Sequence, residues 1–81
     1  MPRSGLLLYV DKGEESRQVI EHLRKSKCQF MTRDITESGM AEMELDTVFG
    51  NTEVPVLVWE GHTVRGFDPA ALDQLISRDA S

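Results

Sequence analysis

The stretch EVPVLVWEGHTVRGFDP, residues 53–69, decides the architecture. Val56-Leu57-Val58-Trp59 is a short apolar run of strand-forming residues, and the same character resumes near Thr63-Val64-Arg65 after Glu60-Gly61-His62. A glycine-containing connection of that length between two such runs predicts a β-hairpin. Asp68-Pro69 then opens a helix. An aspartate side chain can accept from the free N–H groups of the first turn, and proline at the first helical position gives up only an N–H that lacks a partner there. Leu72, Leu75 and Ile76 form the buried stripe of this helix, and residues 78–81 read as a flexible tail.

Upstream, Gly50-Asn51 is a left-handed terminator for a helix in which Ala41, Leu45, Val48 and Phe49 fall at i, i+4, i+7 and i+8. Thr36 or Ser38 is its cap. From Cys28 to Ile35 the pattern has period two: Cys28 and Phe30 point one way, and Gln29, Met31 and Arg33 the other. Leu6 to Val10 is a continuous apolar run closed by Asp11-Lys12-Gly13, which suits a strand buried on both faces. Between these strands, Glu14-Glu15 starts a helix and Arg24-Lys25-Ser26-Lys27 ends it, so both ends complement the helix dipole. Val19, Ile20 and Leu23 are its apolar stripe.

The order is β-α-β-α-β-β-α. A helical crossover makes the first two strands parallel and right-handed in connection, and the hairpin makes the last two antiparallel. The economical packing is an α/β domain with a mixed four-stranded sheet and helices on both faces.

Eighty-one residues hold a single domain, 1–81, with its core within 5–77. Nine basic residues against 14 acidic leave a net charge of −5, which opposes a nucleic-acid or anionic-membrane partner. Forty per cent hydrophobic and 28% charged residues describe a globular chain rather than a disordered one. One cysteine excludes an internal disulfide, a Cys-x-x-Cys pair and a multi-cysteine zinc site. The opening MPRSGLLLYV has too short an apolar run for a signal segment, and no stretch reaches the roughly 18–20 residues of a membrane span, so the expected location is cytoplasmic.

Four local motifs, in order and at matching separations, resemble the glutaredoxins and glutaredoxin-like small redoxins, whose fold is thioredoxin-like. Tyr9 with its following loop is similar to the family's first strand and active-site loop. Asp34-Ile35-Thr36-Glu37 is similar to the exit from its second strand. Glu53-Val54-Pro55 lies where the family has Thr-Val-Pro with a cis proline. Val64-Arg65-Gly66-Phe67-Asp68-Pro69 resembles the segment that opens its last helix. The resemblance runs from about Leu6 to Ile76. It implies a place in cell redox homeostasis and a disulfide oxidoreductase ancestry. It also implies a ligand groove in which Val54 next to Pro55 pairs with an extended peptide, while Gly66, Phe67 and Asp68 hold the γ-glutamyl end of glutathione.

The departure falls on the chemistry. Counted from Tyr9, the family's two thiol positions coincide with Glu14 and Arg17. Thiol–disulfide exchange needs a thiolate that attacks sulfur and can leave again. A carboxylate and a guanidinium do neither; at i, i+3 they form an ion pair. The family's loop lysine falls on Asp11 by direct count, with Lys12 one residue later, and the resemblance makes Lys12 the lysine expected to take part in ligand binding.

Cys28 is the only sulfur nucleophile. It is either a one-thiol redox site, reaching a mixed disulfide with glutathione or a bridge to another chain, or a small hydrophobe at the start of the second strand. The second use is the expected one. His22 and His62 read as solvated surface, and Ser16 has no recognisable base. Glu37, Glu42, Glu44 and Asp46 give the second helix an acidic face, with Met40 and Met43 beside its stripe.

The expected function is therefore a redox-silent, glutaredoxin-like binding or adaptor domain with a degenerate active site. Its partner is a protein or a thiol peptide; it has no metal, glutathione is the candidate small ligand, and a homodimer is an expected assembly. The alternative is a monothiol disulfide oxidoreductase that uses Cys28.

Overall fold

The computed structural model describes residues 5–80. Met1–Ser4 of the opening segment and Ser81 of the expected tail lie outside the described residues. The elements are β1 (Leu7–Val10), α1 (Glu14–Lys25), β2 (Met31–Asp34), α2 (Gly39–Phe49), β3 (Val56–Trp59), β4 (His62–Arg65) and α3 (Pro69–Ala80). The sheet order is β2-β1-β3-β4. β1 pairs in parallel with β2 and antiparallel with β3, and β3 pairs antiparallel with β4. This is the mixed four-stranded sheet that the element order implies.

Strand alternation divides the core in two. On one face Leu6, Leu8, Val10, Leu57 and Val64 meet Val19 and Leu23 of α1 and Leu72 and Leu75 of α3. On the other, Tyr9 and Val56 meet Leu45 of α2, with Leu7 and Val58 only half-buried. The unbroken run in β1 is thus a consequence of helices on both sides of a central strand.

Local chemistry sets the element ends. Ser38 Oγ accepts from the Ala41 N–H at 3.2 Å, which identifies it rather than Thr36 as the cap of α2. Gly50 closes that helix at φ 75°, its N–H on the Asp46 carbonyl at 2.8 Å. Pro55 follows a cis peptide bond. Glu60 (φ 42°) and Gly61 (φ 85°) are both left-handed and make a two-residue hairpin turn of the primed kind, leaving His62 paired with Trp59 inside the ladder.

Four expectations are corrected. β2 begins at Met31, not Cys28: Lys27 turns left-handed (φ 57°), and residues 28–30 carry the chain from the end of α1 to the sheet edge. Cys28 and Phe30 still pack on the larger cluster. Val48 is 67% exposed, because among the described residues no other helix flanks α2 to cover that side. His22 is not simply solvated: its Nε2 lies 2.8 Å from Asp73 Oδ1 and its ring meets Phe67 edge-on at 5.8 Å. Finally, α3 continues through Arg78 and Asp79 to Ala80. Asp79 Oδ1 accepts from Trp59 Nε1 at 2.8 Å and from the Gly5 N–H at 3.1 Å, so the expected tail is the last turn of a docked helix.

Candidate functional site

The loop after β1 is built around Asp11. Its Oδ1 accepts from the Gly13 N–H at 2.9 Å and from Ser16 Oγ at 2.8 Å, while Ser16 Oγ accepts from the Asp11 N–H at 3.1 Å. Ser16 is only 1% exposed. It ties the loop to the first turn of α1 and is no free nucleophile.

Lys12 projects away from this loop. Its Nζ lies 2.8 Å from Glu37 Oε2 and 3.6 Å from Asp34 Oδ2. The hydrogen bond to Glu37 holds the ammonium above its ordinary range. The Thr36 hydroxyl, chiefly, holds the Asp34 carboxyl below its own. At the tip of α1, Arg17 Nη2 donates to Glu14 Oε2, which raises the guanidinium's already high pKa. Glu14 and Arg17 thus form an exposed ion pair with no sulfur chemistry available to it. An open groove of about 340 Å³ runs along α1 from Lys12 and Gly13 past Arg17 to Arg24.

The second half of the site is the Val54-Pro55 corner. Pro55 is buried, and its carbonyl accepts from the Gly66 N–H at 2.8 Å. Val54 packs half-buried against the Tyr9–Leu45–Val56 cluster. Neither its N–H nor its C=O is hydrogen-bonded among the described residues. A strand-like segment laid along this corner would meet one free donor and one free acceptor.

Gly66 (φ 73°) turns the chain into α3. The next N–H, of Phe67, donates to Glu15 Oε2 at 2.9 Å across 52 residues of sequence. That oxygen lies 2.8 Å from where a Cβ on Gly66 would stand, so glycine admits the contact. Asp68 caps α3, accepting from the Ala71 N–H at 3.3 Å through Oδ1 and from the Leu72 N–H at 2.9 Å through its carbonyl.

Of the residues singled out by sequence, Val54, Pro55 and Gly66 come together through the Pro55–Gly66 bond, and Phe67 joins them to Glu15, the chain neighbour of Glu14, whereas Glu14 and Arg17 contact each other. Lys12 faces the β2 exit instead. Cys28 is apart from all of them, beyond the opposite end of α1, whose 12 residues span about 18 Å. Its Sγ donates to the Leu23 carbonyl at 3.3 Å, and burial, with the Asp79 charge acting in the same sense, pushes the thiol up. Sequence reasoning missed Glu15 and Asp11. Glu15 reads as a dipole-complementing residue, and nothing local marks a partner so far along the chain. The Asp11–Ser16 spacing is a local signal that could have been read as a loop brace.

This arrangement defines a thioredoxin-like fold. The chain is similar to the glutaredoxin (grx-1) of Archaeoglobus fulgidus, with TM-score 0.79 at 20% identity over 90% of this chain and 86% of that one. It is also similar to the thioredoxin-like protein BC3987, with TM-score 0.78 at 22% identity over 86% of this chain and 97% of that one. A point mutant of BC3987 matches to the same degree, over 96% of its length. No protein-family model and no curated protein matches the sequence. Among the described residues no helix is long and apolar enough to cross a membrane.

Proposed function

We propose that this chain is a redox-silent, glutaredoxin-like binding domain that grips an extended thiol peptide or a partner protein's segment at the Val54-Pro55 corner. The observation that carries the reading is that both Val54 backbone groups are unbonded among the described residues, in a chain whose Glu14 and Arg17 are paired with each other. Strand addition at such a corner draws affinity from main-chain hydrogen bonds and needs no nucleophile. Glutathione is the smallest ligand of this kind. To use the Phe67 N–H its carboxylate must displace Glu15, whereas a peptide paired with Val54 need not. We place the domain in the cytoplasm, as an adaptor within redox homeostasis that holds thiol-bearing chains without reacting with them.

The test is a titration of the isotope-labelled chain with a short extended cysteine peptide and, separately, with glutathione, read by backbone amide shifts. The expected result is saturable movement at Val54 and its neighbours with the peptide. Silence there with both probes ends the proposal. The competing reading, a monothiol oxidoreductase through Cys28, predicts disulfide-reduction activity that vanishes in Cys28→Ser; equal background rates in the two proteins exclude it.

A further inference from the structure

Met40 and Met43 stand three residues apart on α2, 73% and 70% exposed, and belong to neither core cluster. That spacing places them side by side on the helix. Methionine is flexible and polarisable, and it suits surfaces that adapt to apolar partners. Asp46 follows Met43 at i+3, so thioether and carboxylate adjoin, and Glu42 precedes Asp46 at i, i+4.

Of the three acids on α2, Glu44 is satisfied: its carboxylate takes the Tyr9 hydroxyl at 3.2 Å and Arg33 Nη2 at 2.7 Å. The carboxylates of Glu42 and Asp46 make no hydrogen bond or ion pair among the described residues. Their like charges at i, i+4 repel. Asp46 also stands in the last turn, where the dipole disfavours an anion, and that turn contains no cation. α1 is the contrast, with Glu14 and Glu15 in its first turn and His22, Arg24 and Lys25 in its last. Glu42, in the first turn of α2, suits the dipole, so the charge that opposes the helix is Asp46, beside two uncovered apolar side chains.

One occupant answers both features. We propose that the outer face of α2 docks a basic amphipathic helix of a partner protein, whose apolar residues cover Met40 and Met43 and whose Lys or Arg side chains pair with Glu42 and Asp46. The net charge of −5 draws such a helix in. A second copy of this chain would bring the same unpaired carboxylates against each other. This surface is separate from the Val54 corner, and neither proposal depends on the other.

The probe is a synthetic helical peptide with Leu at i, i+3, i+4 and i+7 and Lys at the remaining positions, titrated into the full chain. Shifts are expected at Met40, Glu42, Met43 and Asp46. Binding is expected to weaken about tenfold or more in Met40→Ser/Met43→Ser and in Glu42→Gln/Asp46→Asn. Asp46→Asn alone is expected both to bind more weakly and to melt at a higher temperature than the parent, which separates lost binding from lost folding. A scrambled peptide of the same composition that binds equally well, variants that bind like the parent, or shifts confined to Val54–Phe67 each overturn the proposal. So does self-association of the free chain, in sedimentation equilibrium, that disappears in Met40→Ser/Met43→Ser, because the second copy is then the occupant. A lower melting temperature for Asp46→Asn removes its electrostatic premise.

Discussion

The two faces of the sheet share two central strands, β1 and β3, and are finished differently. Leu6, just before β1, and Leu8 and Val10 within it go to one side, where two helices close over them, and Leu7 and Tyr9 go to the other, where α2 is the one helix among the described residues. Under α2 the row Tyr9–Val56 is buried, while the next row down, Met31–Leu7–Val58, runs from 67% exposed Met31 to half-buried neighbours. The difference separates two tasks. The face under α1 and α3 carries the cohesion of a small domain. The face under α2 keeps apolar side chains in reach of solvent, which a single core does not require.

The largest expected effect tests that division directly. Leu23 is fully buried between α1 and the sheet, whereas Met43 on α2 is 70% exposed. Leu23→Ala removes packed methyl groups and leaves a cavity, costing about 2–5 kcal/mol in chemical denaturation. Met43→Ala is expected to stay within about 0.5 kcal/mol of the parent. Comparable losses at the two positions would erase the distinction between the faces.

Asp79 sharpens the same comparison at the end of α3. One carboxylate oxygen serves both Trp59 Nε1 and the Gly5 N–H, joining the last turn of the helix to the hairpin and to the chain before β1. Asp79→Ala leaves a part-buried indole N–H without its acceptor, and the expected loss is about 1–3 kcal/mol. A frayed helix end would instead make the substitution neutral, and near-ultraviolet circular dichroism of Trp59 reports which holds.

Gly66 comes next, where the first face reaches the candidate site. A side chain there must adopt the left-handed region and press on the Glu15 carboxylate. The backbone part of Gly66→Ala costs roughly 1–2 kcal/mol, while the carboxylate, at the end of a flexible side chain, simply moves off. Hydrogen exchange at the Phe67 N–H should then accelerate. Unchanged protection in Gly66→Ala would show that Glu15 does not hold that proton.

These three positions also mark what is legible in a lone sequence. The hairpin, the Asp68 cap and the Gly50 terminator were readable because each is decided within a few residues by backbone sterics or hydrogen-bonding chemistry, and the parallel crossover because a helix joins its two strands. The place of Val54-Pro55 beside Gly66 was legible only through resemblance, since the Pro55–Gly66 bond joins two loops. The partner of Glu15 lies 52 residues away and those of Asp79 lie 20 and 74 away, and no spacing rule reaches that far. The start of β2 failed for a related reason. Cys28 and Phe30 alternate as strand residues do because both pack on the same cluster, but Lys27 bends the chain and the ladder is not joined until Met31. Periodicity reported burial there, not hydrogen bonding.

The smallest effect concerns Cys28, which packs on the fully covered face. Burial raises its thiol, so the folded chain holds the proton more tightly than the unfolded one. The sign follows from linkage. The contribution is complete below the ordinary thiol range and is lost as pH rises through the raised value, so the parent should lose stability in alkali more steeply than Cys28→Ala. The same protonation suppresses the thiolate that attack on a disulfide requires, and iodoacetamide should therefore label the folded chain slowly near neutral pH and the denatured chain fast. Equal labelling rates in the two states would mean an accessible thiolate on the face assigned to cohesion. The division between the faces would then fail at this residue, and the monothiol reading would take precedence over the silent one.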